Sequence, residues 1–410
     1  MICASFCTVS TKNALNAEQA ISNIHLQMRR ALSGAWGMHK LQSNLRSCGM
    51  VIRMKKALLV THVSGFVPQF EMNNVQLLQK MGYEIHYASN FQNVSYGMDN
   101  QRLEGTGIIC HQVDFSRSPY DLKQHNIAIK QMQILLEKES FSIMHCHTPV
   151  GAALARIVAK PYRKQGLKVV YTAHGFHFYK GAPWKYWLLF YPVECALSRV
   201  TDVLITINKE DFERAKRFCK FNKTKVEQIH GVGLDLAYWS GKDLKLGERE
   251  RMRMQVRKEL GIHEEETAML SVGELIPRKN HEEVIRRLAE KKQEGEKNFR
   301  YFICGQGVLK EFLQDLIVQL DLENEVTLLG YRTDIRTILY GMDLFVFPSK
   351  QEGMPVALME AAAAGIPIQA SDIRGNREVI EDSKEGKGLP DKYDMKQVNK
   401  TMKRIYEDLM

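Results

Sequence analysis

From Met54 onward the chain alternates short, unbroken apolar runs with longer stretches whose apolar positions recur every three or four residues. The short runs, bounded by glycine or polar residues, read as buried strands, and the longer stretches read as helices. Strands are predicted at 57–63, 84–88, 108–110, 143–146, 168–172 and 203–207, with helices between them such as 121–138 and 209–218. A charged helical stretch, GERERMRMQVRKELG, leads to a second set of strands at 268–273, 300–304, 326–328, 344–347 and 366–370. This alternation predicts an α/β protein with parallel sheets wrapped by helices. A chain of 410 residues is too long for one core, so two domains are expected. The predicted division is an extension at 1–53 outside the core, domains at 54–240 and 241–390, and a C-terminal helix within 391–410. In that last helix Val398, Met402, Ile405 and Leu409 share one face, and Asp394 with Gln397 suggests a capping box.

The first 53 residues do not fit the alternating pattern. They lack the basic start and cleavage site of a signal peptide, and a weak amphipathic helix is predicted over 16–32. Met54 or Met50 is expected to be the natural start, with no catalytic role for what precedes it.

Each strand of the second set ends at a loop carrying glycine or polar residues, where open α/β sheets bind ligands. The most informative loop is QEGMPVALME, 351–360. Pro355 suits a first helical position, and Val356 to Met359 with alanines 361–364 propagate the helix. Glu352 then sits on the loop and Glu360 lies about one and a half turns into the helix. The amides of Gly353, Met354 and Val356 fall between them, at the positive end of the helix dipole. Phosphate on the amides and hydroxyls on the carboxylates would suit a ligand that is both a phosphate ester and a polyol.

Arg278 and Lys279 follow a strand in GELIPRKN, and paired cations there suit a diphosphate as well as a solvated basic turn. Gly305-Gln306-Gly307 is a tight turn after a strand, too short for a dinucleotide fingerprint. His174 opens the turn HGF after the strand KVVYTA, a place where a histidine is often a structural hydrogen-bonder. His145 and His147 form an H-x-H, but no third ligand stands at usable spacing, so they read as structural or acceptor-side groups and no metal is expected.

Glu352-x7-Glu360 within PSKQEGMPVALMEAAAAGIPIQASDIRGNREVI resembles the signature of family-4 retaining glycosyltransferases, which have the GT-B fold. TAHGFHFYKGAP at 172–183, SVGELIPRKNH and ICGQG point the same way, and the flavour is that of bacterial capsule and exopolysaccharide enzymes. The resemblance implies two Rossmann-like domains facing a cleft, with 54–240 binding the acceptor and 241–390 the nucleotide sugar. It implies hexosyl or N-acetylhexosaminyl transfer from a nucleotide diphosphate sugar, expected to be a UDP-sugar, to a glycan or lipid-linked glycan, without a cofactor. By the same resemblance Glu352 holds the sugar hydroxyls, Glu360 the ribose, and His174 faces the donor sugar. Arg278 and Lys279 take the diphosphate together with Gly353, Met354, Pro355 and Val356. Gly65 and Gly305 approach the donor closely, and the backbone at Tyr331 and Arg332 meets the base. Two departures stand out. Glu274 occupies a position where the family has arginine, and after Ile380 the second domain is shortened before the last helix. That shortening predicts a thinned outer edge and keeps two alternatives open: a binding or partner subunit without turnover, and a sugar-nucleotide epimerase of the same fold.

Composition narrows the setting. No apolar run reaches the 18 or more residues of a membrane span. The 8 cysteines are scattered without a C-x-x-C, which favours reduced thiols in the cytoplasm. The net charge of +10 arises within residues 1–240, whereas 241–410 is net acidic. A basic half suits an anionic partner, but no nucleic-acid-binding motif accompanies it. FHFYKGAPWKYWLLFYP, 176–192, interleaves aromatics with Lys180 and Lys185, which predicts peripheral contact with the cytoplasmic face of the membrane, with a buried aromatic helix as the alternative.

Overall fold

A computed structural model describes residues 54–94, 100–383 and 388–410. The expected extension and its helix over 16–32 lie outside the described residues.

Seven strands form the first sheet: β1 Lys55–Val60, β2 Tyr83–Ser89, β3 Ile109–Gln112, β4 Ile143–Cys146, β5 Lys168–Ala173, β6 Val203–Thr206 and β7 Lys225–Gln228. Five form the second: β8 Thr267–Val272, β9 Phe299–Cys304, β10 Val326–Gly330, β11 Leu344–Phe347 and β12 Ile368–Ala370. Their orders are β3-β2-β1-β4-β5-β6-β7 and β10-β9-β8-β11-β12, with every pairing parallel. This is the α/β class the alternation predicts.

Central strands carry continuous apolar runs because helices cover both faces of a parallel sheet. In β1, Ala57, Leu58, Leu59 and Val60 are all buried, and Ala57 stands opposite both Ile85 of β2 and Ile143 of β4. Edge strands are less apolar, and β7 was not foreseen for that reason: KVEQ has one apolar residue and no fully buried one. The predicted 57–63 strand is shifted: β1 begins two residues earlier, at Lys55, and ends three residues earlier, at Val60. Thr61 to Phe66 make the turn, and Val67–Glu71 winds as a π-helical turn before helix Met72–Lys80. At the other motif, helix Val356–Ala363 begins one residue later than expected. Pro355 is its N-cap, with an extended ψ of 119°.

The second sheet ends on the three-residue β12, followed by helix Arg374–Asp382. The terminal helix Met395–Glu407 then returns to the first sheet's side and packs on helix Met72–Lys80. Leu234 donates to the Tyr393 carbonyl at 2.9 Å and Met395 donates to that of Leu234 at 2.8 Å, fixing the helix's entry. Val398, Met402 and Ile405 are buried as expected, but Tyr406 joins them in full burial while Leu409 is half-buried. The cap also differs: the Asp394 carboxylate accepts from the Lys396 amide at 2.8 Å.

Met402 is the deepest apolar anchor of this helix. Met402→Ala is expected to cost about 2–5 kcal/mol from lost contact plus the cavity left behind. Exposed Lys403→Ala should change stability by less than about 0.5 kcal/mol. Urea unfolding of the two variants checks the difference, and equal midpoints would mean that the helix is not docked.

Candidate functional site

Both sheets present the carboxyl ends of their strands to one another, and the predicted site residues lie on the loops that leave those ends. On the second sheet, the loop after β8 carries Arg278 and Lys279, and the loop after β11 carries Glu352. Lys279 Nζ stands 2.7 Å and Arg278 Nη1 2.9 Å from the same oxygen, Glu352 Oε1. Arg278 also donates to the Gln351 carbonyl at 2.7 Å, and its own carbonyl accepts from Lys350 at 2.9 Å. The two loops are thereby stitched together. Lys279 is half-buried, with its ammonium 4.8 Å over the Phe347 ring. Burial lowers the Lys279 ammonium pKa, with Glu352 pulling the other way. For Glu352, burial would raise the carboxyl, but Lys279 and Arg278 outweigh it and hold the group below its usual range. The cluster is therefore charged and carries one more positive than negative group, with Lys279 and Glu352 largely covered and Arg278 reaching solvent. Glu274, whose identity departs from the expected arginine, adds a weak attraction on Lys279.

Glu360 does not join this cluster. It is half-buried on helix Val356–Ala363, makes no ion pair among the described residues, and burial pushes its carboxyl up to about 7. Gly305 lies where a Cβ would stand 1.9 Å from the Gly273 carbonyl oxygen, so glycine lets the β8 and β9 loops touch. The Gly305 amide donates to the Gly330 carbonyl at 2.8 Å, which draws in the start of the Tyr331 segment. Tyr331 is half exposed, and the Arg332 guanidinium is taken up by Asp334 at 2.6 Å and Glu259 at 3.3 Å. Gly65 is buried in the turn after β1.

The first sheet meets this loop cluster through backbone. A Cβ on Gly353 would stand 1.9 Å from the His174 carbonyl oxygen, and one on Gly375 would stand 2.4 Å from that of Gly353. Met354 is buried and lies against Gly231 of the first half. Asn208 Nδ2 donates to the Gly353 carbonyl at 3.3 Å. Across the junction runs a residue the sequence reasoning missed. Arg374 donates to Asp211 at 2.5 Å, to the Phe176 carbonyl at 2.8 Å and to the Glu352 carbonyl at 3.3 Å, and stacks 4.7 Å over Tyr179. Asp211 also accepts from the Phe176 amide at 3.1 Å and from Asn208 at 2.9 Å. Burial lifts the Asp211 carboxyl above its usual range while Arg374 pulls it down. The signal that could have found Arg374 is its place two residues before Asn376 in the motif already singled out.

His174 is half-buried, and burial holds its imidazole down at about 4. Its Nε2 lies 3.1 Å from His147 Nδ1. Both nitrogens approach Glu71 Oε1, at 3.7 Å and 3.4 Å. This corrects the expectation that the H-x-H lacks a third partner. Glu71 is 76 residues upstream of His147, and only the fold brings it there. Burial pushes the Glu71 carboxyl up to about 8 and the His147 imidazole well below its usual value, so these are contacts among neutral groups. Of the two expected roles, His145 takes the structural one: its Nδ1 and Nε2 bond Tyr406 and Thr172, each at 2.8 Å.

Two family descriptions cover the chain: "Glycosyl transferase 4-like" over residues 55–208 and "Glycosyl transferases group 1" over 252–409. EpsD of Bacillus subtilis (strain 168), which carries the name of a glycosyltransferase, is 34% identical over 333 residues, covering 81% of this chain and 82% of EpsD. The UDP-Gal:alpha-D-GlcNAc-diphosphoundecaprenol alpha-1,3-galactosyltransferase of Escherichia coli is 27% identical, covering 83% and 85% of the two chains. Among solved structures, Anabaena HepE in complex with UDP and glucose superposes with a TM-score of 0.59 at 17% identity, covering 87% and 90%. The chain belongs to the family-4 glycosyltransferases of GT-B fold, as its sequence motifs led one to expect, and resembles their exopolysaccharide enzymes.

Removing Arg374 strands Asp211 without its cation in a buried junction. Arg374→Met is expected to lower stability by about 3–5 kcal/mol. Arg374→Lys should recover little of it, because a single ammonium cannot reach three acceptors in different directions. Chemical denaturation of both variants tests this, and a lysine variant as stable as the wild type would refute it.

Proposed function

We propose that this glycosyltransferase moves a hexosyl or N-acetylhexosaminyl group from a UDP-sugar to a hydroxyl of a glycan or lipid-linked glycan, with retention at the anomeric carbon. The observation that carries this reading is the joining of Arg278, Lys279 and Glu352 directly against the His174–Gly353 backbone contact. That arrangement offers cations for a diphosphate and a carboxylate for sugar hydroxyls on one side, and the first sheet's loops on the other. The UDP and glucose held by HepE and the UDP-Gal in the Escherichia coli relative's name support the donor class.

In this mechanism Arg278, Lys279 and the amides at Gly353, Met354 and Val356 stabilise negative charge as the diphosphate leaves the anomeric carbon. The acceptor oxygen bonds to that carbon on the face the phosphate vacates, and the acceptor's proton passes to the departing phosphate oxygen. Glu352 orients the sugar through its hydroxyls, Glu360 accepts from the ribose hydroxyls, and His174 lies beside the sugar. Gly65 leaves room for the donor, Gly305 lets the β8 and β9 loops close together beside it, and the backbone at Tyr331 and Arg332 faces the base. Fixed cations take the place of a metal ion in this step.

Glu352→Gln should cut turnover far more than UDP affinity. Glu360→Gln should weaken UDP binding by about 1–3 kcal/mol, the worth of a charge-assisted hydrogen bond. An ionised Glu360 is the better acceptor, so wild-type UDP affinity should rise relative to Glu360→Gln as pH increases through about 7. Calorimetry checks both, and equal affinity at all pH values would remove Glu360 from the ribose. Release of UDP from UDP-sugars separates transfer from a binding-only role, and a change of sugar configuration without transfer would favour the epimerase.

The acceptor side is proposed to sit on the cytoplasmic face of a membrane. Helix Trp184–Ser198 exposes Trp184, Leu188, Leu189 and Val193 beside Lys185. No helix among the described residues is long and apolar enough to cross a membrane. An apolar face edged by basic residues suits the interfacial plane. Vesicles with anionic lipid should sediment the wild type, and Leu188→Glu with Leu189→Glu should abolish this without changing the melting temperature. Equal sedimentation of both proteins would rule the face out.

A further inference from the structure

Glu71 ends the π-helical turn after β1, His147 and His174 follow β4 and β5, and one donor atom of each lies within 4.8 Å of the other two. The three separations are 3.1, 3.4 and 3.7 Å. A point equidistant from those atoms lies about 2.0 Å from each, which is the bond length of zinc to imidazole nitrogen or carboxylate oxygen. We propose that these three side chains form a binding site for a divalent ion of the zinc class, with a fourth coordination position left for a small oxygen ligand.

The chemistry of the donors selects the ion. Two imidazoles and one carboxylate suit zinc and its neighbours, whereas magnesium and calcium prefer all-oxygen shells. Glu71 and His147 are buried, so their positions are set by packing rather than by solvent. Phe66 braces the pair, with its ring 4.9 Å from that of His174 and 5.7 Å from that of His147. His174 and Glu71 also line a crevice with Thr172, Asn74 and Asn399, from which the fourth ligand can enter. Among the described residues this is the one group of three or more such donors close enough to share an ion.

The site stands on its own geometry and does not rest on the transferase reading. The test uses the full chain stripped with a chelator and titrated with cobalt(II), a coloured stand-in for zinc. A saturable 1:1 signal with the intense visible absorption of four-coordinate cobalt is expected, and zinc should displace it. His147→Gln and Glu71→Gln should each weaken cobalt binding by at least about tenfold. His86→Gln should not, although it breaks the other histidine pair, His86–His111. Circular dichroism checks the fold of each variant, and His174→Ala, at a half-buried position, replaces any that unfolds. Absence of stoichiometric binding, or binding untouched by these changes, would overturn the site. UDP calorimetry on the same stripped protein reads the donor site separately, so either reading can fail alone.

Discussion

The arrangement of the whole molecule depends on a contact in which loop backbones from the two sheets touch with no side chain between them. Gly353 meets the His174 carbonyl, and Gly375 meets that of Gly353, at distances no Cβ could tolerate. Glycine is required there by space rather than by dihedral freedom, since neither residue has a positive φ. Arg374 locks the junction by placing one guanidinium between Asp211, the Phe176 carbonyl and the Glu352 carbonyl. Such a buried pair is held less by net attraction than by the cost of leaving either charge alone. The same guanidinium fixes the Glu352 loop, so the carboxylate that gathers Arg278 and Lys279 is positioned from both sheets at once.

Burial then sorts the ionisable groups around this junction into two kinds. Glu352 remains a carboxylate because two cations reach one of its oxygens. Glu360 and Glu71 have no cation within reach among the described ion pairs, and burial drives both towards the neutral acid. Three glutamates in one region thus differ in charge because their neighbours differ.

The terminal helix adds a second tie between the halves. It leaves the second sheet, docks on helix Met72–Lys80, and its Tyr406 hydroxyl bonds His145 at 2.8 Å. His145 lies two residues from His147, so the last turn of the chain buttresses the floor of the His147–His174 pair. Lys225 with Asp408 and Arg404 with Glu227 finish the contact at its solvent edge. Those exposed pairs contribute little by themselves, and the buried face of Val398, Met402, Ile405 and Tyr406 carries the docking.

Sequence alone determined the α/β class, most strands, and the loops that follow β8, β9 and β11, because each of these is local. Apolar runs report burial in a parallel sheet, and GELIPRKN, ICGQG and QEGMPVALME are contiguous patterns whose residues stay neighbours in space. It failed where locality failed. Strand β7 has too few apolar residues to announce itself, since an edge strand needs only one good face. Pro355 was displaced by one residue because cap geometry, not helix propensity, chose the first turn. Glu71 could not be joined to His147, nor Arg374 to Asp211 across 163 residues, because no periodicity links positions on different loops. The tertiary structure decided those partnerships, and with them which carboxylates are charged. Burial and proximity set a proton's affinity, and both are properties of the packed chain rather than of its order.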